Sequence, residues 1–215
     1  MAYTSEQLVI LAAIAPVGAA SAVAGYRFRH LPVAGRLLAA LVWCALATEI
    51  VSRIFWVYKI NNLFLWPIYM TLELGLLVRL YTLEANKTIR RAAAGGIVLF
   101  AAGAVLELLW RAHQPLAIDN VARVLESVVI ILLALTYCYR QFREPATASL
   151  LRLPLFWASV GLLVFFSATF FIYLFINFAL NYSQGLNYQI WIIHAGVNSL
   201  LYAAYAYALW ISPAK

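Results

Sequence analysis

The stretch LPLFWASVGLLVFFSATFFIYLFINF, residues 153–178, carries no charged side chain from end to end. A spanning α-helix needs about 20 consecutive apolar residues, so this run is long enough to cross a bilayer. Pro154 stands near its start, where a first helical turn tolerates proline.

Working outward from it, six more apolar runs of bilayer-spanning length can be marked, at about 8–26, 37–58, 63–81, 92–110, 116–139 and 188–211. The breaks between them hold charged or helix-stopping residues. These are Arg27-Phe28-Arg29-His30-Leu31-Pro32, Lys59 to Asn62, Glu84 to Arg91, His113-Gln114-Pro115, Arg143-Glu144-Pro145 and Asn181 to Asn187. Breaks this short make hairpins of neighbouring spans. The expectation is an all-α fold, a polytopic transmembrane bundle of seven helices forming a single domain over residues 1–215.

Composition agrees. Hydrophobic residues make up 66% of the chain and mean hydropathy is +0.88, more than a water-soluble core can hide, so lipid must be the solvent for much of the surface. The net charge of +7 does not point to nucleic acid, because the basic residues sit at the ends of apolar runs, where they read as topology signals and headgroup contacts. Arg27, Arg29, Arg36, Arg79, Lys87, Arg90, Arg91, Arg140, Arg143, Arg152 and Lys215 fall on one side of the threaded topology, and only Lys59 and Arg111 flank the other. The positive-inside rule then puts the N-terminus outside and the C-terminus inside, in the inner (cytoplasmic) membrane. Glu6 precedes the first run with no Lys or Arg, the wrong start for a cleavable signal peptide. Cys44 and Cys138 both lie within apolar runs and imply no disulfide framework.

Trp56, Trp66, Trp110, Trp191 and Trp210 lie toward span ends and fit interfacial belts. Small residues crowd the first run, from Ala12 to Gly25, and suit close helix packing. The repeat of Glu49-x-x-x-Arg53 as Glu107-x-x-x-Arg111 is a faint internal echo.

Ionisable residues inside spans are costly and normally face a bundle interior or a wet cavity. This chain has Glu49 and Arg53 in the second run, Glu73 in the third, Glu107 in the fourth, Arg123 and Glu126 in the fifth, and His194 with Asn198 in the seventh. Nearly all fall at mid-membrane or in the outer half. Helical spacing gives shared faces: His194, Asn198, Tyr202 and Tyr205; Asn62, Trp66, Tyr69 and Glu73; Glu49, Arg53 and Trp56; Thr169, Tyr173 and Asn177. Four such stripes at similar depth imply an outward-opening polar pocket lined by aromatic residues. Glu73, Glu126, Arg123, His194, Asn198, Tyr69 and Tyr202 are its expected ligand-binding residues. Glu49–Arg53 and Glu107–Arg111, each spaced i, i+4, are expected as structural ion pairs.

Glu73 has no basic partner one turn away, and four span carboxylates face three arginines. A proton, a protonated His194, or a cation or amine-bearing ligand would complete the balance. His194 is expected to approach a carboxylate of the third or fifth helix. A His–carboxylate metal site is the lesser reading, because the three-His arrangement of seven-helix zinc hydrolases is absent, and no metal ligand or catalytic residue is assigned. Retinal chemistry is set aside, since Lys59, Lys87 and Lys215 lie at span ends or outside and a Schiff base needs an amine within the bundle.

The run from Asn61-Asn62-Leu63-Phe64-Leu65-Trp66 through Glu73, the segment Arg123-Val124-Leu125-Glu126-Ser127, the stretch Pro154-Leu155-Phe156-Trp157 and Ile192-Ile193-His194 through Asn198 together resemble small uncharacterised bacterial seven-helix integral membrane proteins. They are also similar to the membrane sensor portion of some bacterial histidine kinases. The resemblance covers helices two to seven and implies no established activity or cofactor. The sequence departs from the kinase arrangement in reaching Lys215 without a catalytic domain.

The leading functional expectation is a small-ligand or ion sensing, receptor-like module acting through a partner. A small proton-coupled transporter and an intramembrane lipid-modifying enzyme are the alternatives. The expected partners are the lipid bilayer, a small molecule or cation, and a signalling protein or a second copy of the chain, with no nucleic acid.

Overall fold

The structure is a computed structural model describing residues 14–111, 121–143, 149–182 and 184–214, side chains at 111, 177–182, 184 and 187 excepted. Seven α-helices make up nearly all of the described chain: α1 Ala15–Arg27, α2 Val33–Val57, α3 Leu65–Tyr81, α4 Lys87–Arg111, α5 Val121–Arg143, α6 Pro154–Tyr182 and α7 Gln184–Ile211. Short 3-10 turns, Phe28–His30 and Leu150–Arg152, precede α2 and α6.

Local chemistry explains where the helices stop. Asn86 caps α4, its Oδ1 accepting the Ile89 N–H at 2.9 Å. That cap carries helix through Lys87, Arg90 and Arg91, which reading by apolarity alone assigns to a loop. Long basic side chains can hold their charge in the headgroup region while their stems stay on the helix. Pro154 opens α6 as expected.

Past α2, Lys59 takes φ 56°. Its N–H bonds the Trp56 carbonyl at 3.1 Å and the Ile60 N–H bonds the Phe55 carbonyl at 2.9 Å. This is a Schellman close, with lysine where glycine is usual. Asn61 Oδ1 then accepts the Leu63 N–H at 2.9 Å, turning the chain into α3.

Six helices form a ring, in the order α1, α2, α3, α5, α6, α7 and back to α1, while α4 packs outside against α3 and α5. The tightest seam is α6 on α7: a Cβ added at Gly161 would lie 2.7 Å from Ala204 Cβ, so the glycine lets the two backbones approach. On α1, Ala20 and Ala24 are fully buried, as the small-residue run implied.

The opposite surface is apolar too. Val98, Leu99, Leu106, Leu132, Phe171 and Leu200, all inside long helices, point away from the bundle, which water would not tolerate and lipid does. Helices α2, α4, α5, α6 and α7 are long and apolar enough to cross a membrane. The chain is thus an all-α bundle with the build of a multi-pass membrane protein. Helix α3 has 17 residues and α1 has 13 from Ala15; the beginning of the first expected span, at 8–13, lies outside the described residues.

The end of the bundle that carries the arginine-rich turns is closed. Arg27 Nη2 donates to the Ser212 carbonyl at 2.5 Å, tying α1 to the end of α7. The Tyr81 and Ser159 hydroxyls hydrogen-bond at 2.7 Å across α3 and α6. Between this end and mid-bundle the interior is filled by Leu38, Val42, Leu77, Ile130, Leu162 and Leu209.

Candidate functional site

At the opposite end the ring opens into a cavity of about 820 Å³, lined from α2, α3, α5, α6 and α7 with one residue of α1. Helix α2 contributes Thr48, Glu49, Ser52 and Arg53 one turn apart, and α7 contributes Tyr188, Trp191, His194, Asn198 and Tyr202 at the same helical spacing. Trp66 and Tyr69 come from the first turns of α3, and Asn62 from the turn before it. Asn62 Nδ2 donates to Ser52 Oγ at 2.8 Å, which fixes the α2–α3 turn at the rim.

Arg123, near the start of α5, lines this cavity and joins it to a buried ionic cluster. Its Nη1 donates to Glu73 Oε2 at 2.8 Å and to Glu126 Oε2 at 2.5 Å. Tyr69 donates its hydroxyl to the other Glu73 oxygen at 3.0 Å. Glu73 and Glu126 are buried and do not line the cavity, so Arg123 stands between it and both carboxylates. The guanidinium carbon lies 5.9 Å from the Trp66 ring centroid, 5.8 Å from Phe165 and 5.2 Å from Phe166. Such ring faces stabilise a cation with little water about it.

The expected site residues therefore divide by depth. Tyr69, Arg123, His194, Asn198 and Tyr202 line the cavity, and Glu73 and Glu126 lie behind Arg123. Glu73, which has no basic partner on its own helix, receives one from α5, and a single guanidinium serves two carboxylates. Reading each helix alone could not find this cross-helix pair.

His194 departs from its expectation. Its imidazole faces the interior, but its neighbours are rings, not a carboxylate: Phe165 at 5.4 Å, Trp191 at 5.6 Å and Tyr173 at 6.5 Å between centroids. Its Nε2 is buried and meets no hydrogen-bond partner among the described residues. Among the described residues no three His, Cys, Asp or Glu side chains stand close enough to hold a metal ion.

Of the two expected ion pairs, Glu49–Arg53 has both side chains described. Glu49 Oε1 accepts from Arg53 Nη2 at 2.9 Å, as the i, i+4 spacing implies, but the pair is about one-third exposed and lies on the cavity wall. Glu107 reaches the start of α5, its two oxygens accepting the Val121 and Ala122 N–H groups at 3.0 and 2.8 Å. A carboxylate at a helix N-terminus satisfies otherwise orphaned donors and the helix dipole. The Arg111 side chain lies outside the described residues. The expected Glu107–Arg111 pair therefore lies outside the described side chains.

Of the tryptophans near span ends, Trp66 and Trp191 line the cavity, whereas Trp56, Trp110 and Trp210 are exposed on the outside of the bundle. Of the α6 stripe, Thr169 and Tyr173 are buried but do not line the cavity, the Asn177 side chain is outside the described residues, and Phe165 supplies the wall instead. No pattern in the sequence marks Phe165 among its phenylalanine neighbours.

Comparison of the chain with protein-family models, with curated proteins and with solved structures finds no match.

Proposed function

We propose that the chain is a seven-span protein of the cytoplasmic membrane, N-terminus outside, that holds a small molecule in an outward-facing cavity and passes the binding event to a partner protein by helix movement. The observation that carries this reading is the cavity. Its volume of about 820 Å³ lies within the roughly 300–1,000 Å³ typical of small-molecule sites, and its aromatic walls carry a few convergent polar groups. The surplus of arginines at the far end supports the orientation.

A binding module fits better than a proton-coupled carrier. Beneath the Arg123 cluster the interior is mainly aliphatic, with Leu77, Ile130, Leu162 and Leu209, and the buried Tyr205 hydroxyl between that cluster and the Tyr81–Ser159 pair has no hydrogen-bond partner among the described residues. A lipid-modifying enzyme is supported less again, because the carboxylates that would serve as bases are screened from the cavity by Arg123.

Thermal-shift screening of the purified protein in detergent against a small-molecule library tests the reading. At least one compound is expected to raise the unfolding midpoint of the native protein and to lose that effect in Asn198→Trp, which fills the cavity. If every stabilising compound acts equally on both proteins, the cavity is not a binding site.

A further inference from the structure

The chemistry at the inner wall of the cavity narrows the class of ligand. Arg123 is only 4% exposed, and its Nε is buried without a partner among the described residues although the residue lines the cavity. His194 Nε2, on α7, is in the same condition. Both groups lie close to one ring: the Arg123 guanidinium carbon is 5.8 Å and the His194 ring 5.4 Å from the Phe165 centroid. Buried polar atoms in folded proteins are normally satisfied, so two unpartnered groups on residues that line one cavity point to what it takes in, reached when the side chains turn on binding.

Charge selects among candidates. The guanidinium already faces two carboxylates through Nη1, so no uncompensated positive charge remains to attract an anion. A cation entering the cavity would meet that guanidinium first, since neither Glu73 nor Glu126 lines the wall. Nearer the rim, Glu49 is held by Arg53 at 2.9 Å. A neutral group with an acceptor oxygen meets neither penalty and satisfies the Arg123 Nε–H. Neutral imidazole Nε2 donates in one tautomer and accepts in the other, so His194 can pair with a neighbouring oxygen or N–H of the same ligand. Trp66, Tyr69, Trp191 and Tyr202 complete walls suited to a flat ring.

We infer that the cavity takes a neutral, ring-bearing molecule whose amide-type group is bound by Arg123 Nε at its carbonyl and by His194 Nε2 beside it. The inference rests on the cavity being a ligand site, as proposed above.

Four matched probes separate the classes: 2-naphthamide, 2-naphthoate, 2-naphthylmethylammonium and 2-ethylnaphthalene. Each is measured by equilibrium dialysis against the purified protein in detergent. Specific binding is the part lost in Asn198→Trp or, should that variant not fold, in Ala195→Phe. Naphthamide is expected to bind roughly tenfold tighter than each of the others, the scale of one net hydrogen bond. His194→Phe, which keeps a ring and removes Nε2, should weaken naphthamide roughly fivefold and leave ethylnaphthalene unchanged. Naphthoate or the ammonium probe binding as tightly as naphthamide, with the same dependence on an open cavity, would overturn the neutral class while the cavity reading stands. Ethylnaphthalene matching naphthamide, or no response to His194→Phe, would overturn the polar anchor. No cavity-dependent binding by any probe would overturn both readings together.

Discussion

Arg123→Met tests the interior of the bundle most sharply. One guanidinium nitrogen serves Glu73 at 2.8 Å and Glu126 at 2.5 Å, with all three side chains 4% exposed or less. By formal count the cluster carries one positive and two negative charges. Methionine keeps the length and removes the positive charge, leaving two buried carboxylates facing each other. Removing one partner of a buried ion pair costs roughly 3–5 kcal/mol, and for a chain of this size that lowers the unfolding midpoint by on the order of 10 °C. Glu73→Gln and Glu126→Gln behave differently. Either one brings the formal count to zero and still offers Nη1 an amide oxygen, so each should cost about 0.5–1.5 kcal/mol, the net worth of one hydrogen bond. Together they strand the arginine, and the double variant should cost as much as Arg123→Met, well beyond the sum of its parts. Combining all three substitutions removes every charge and should recover most of the loss. Size-exclusion chromatography after stepwise heating in detergent reads all five variants. If either single glutamine variant is as damaged as Arg123→Met, or if Arg123→Met melts with the native protein, the shared-guanidinium account is wrong.

Three further substitutions test the frame around the site by the same melting assay. Gly161→Ala would bring a methyl within 2.7 Å of Ala204 Cβ; a loss of roughly 1–3 kcal/mol is expected from overpacking, recovered in part by adding Ala204→Gly, and an unchanged midpoint would mean α6 and α7 are not so close. Lys59→Gly removes the strain of a left-handed lysine at φ 56° and should stabilise by about 1 kcal/mol; a destabilised variant would argue against the Schellman close. Glu107→Ala strips the acceptors from two N–H groups at the start of α5 and should cost about 1–2 kcal/mol, the range of a lost helix cap, whereas a neutral result would make that contact incidental.

The helical architecture was legible because each long apolar run has one physical solution in lipid, and the breaks between runs are chemically distinct. Boundaries were less so: Asn86 starts α4 ahead of three basic residues that hydropathy assigns to a loop. Within the site, stripes at i and i+4 correctly grouped His194 with Asn198 and Tyr202, and Trp66 with Tyr69. Periodicity reports which side chains share a face of one helix, and says nothing of what lies opposite. Hence the Glu73–Arg123 pair, the aromatic surroundings of His194 and the placing of Glu49–Arg53 on the cavity wall emerged only with the packed bundle. That Trp66 and Trp191 line the cavity was hidden for the same reason: a tryptophan near a span end can face lipid or the interior, and spacing does not distinguish them.

The central claim, a cavity reached from outside the cell in a bundle whose arginine-rich end faces the cytoplasm, is tested most directly by cysteine accessibility. In a Cys44→Ala, Cys138→Ala background, Asn198→Cys places a thiol on the cavity wall and Ala214→Cys places one beyond the end of α7. A membrane-impermeant methanethiosulfonate reagent applied to intact cells should label Asn198→Cys and spare Ala214→Cys, with the order reversed in inside-out vesicles. Labelling of Ala214→Cys from outside, with Asn198→Cys protected, would contradict the orientation and the outward-facing cavity at once.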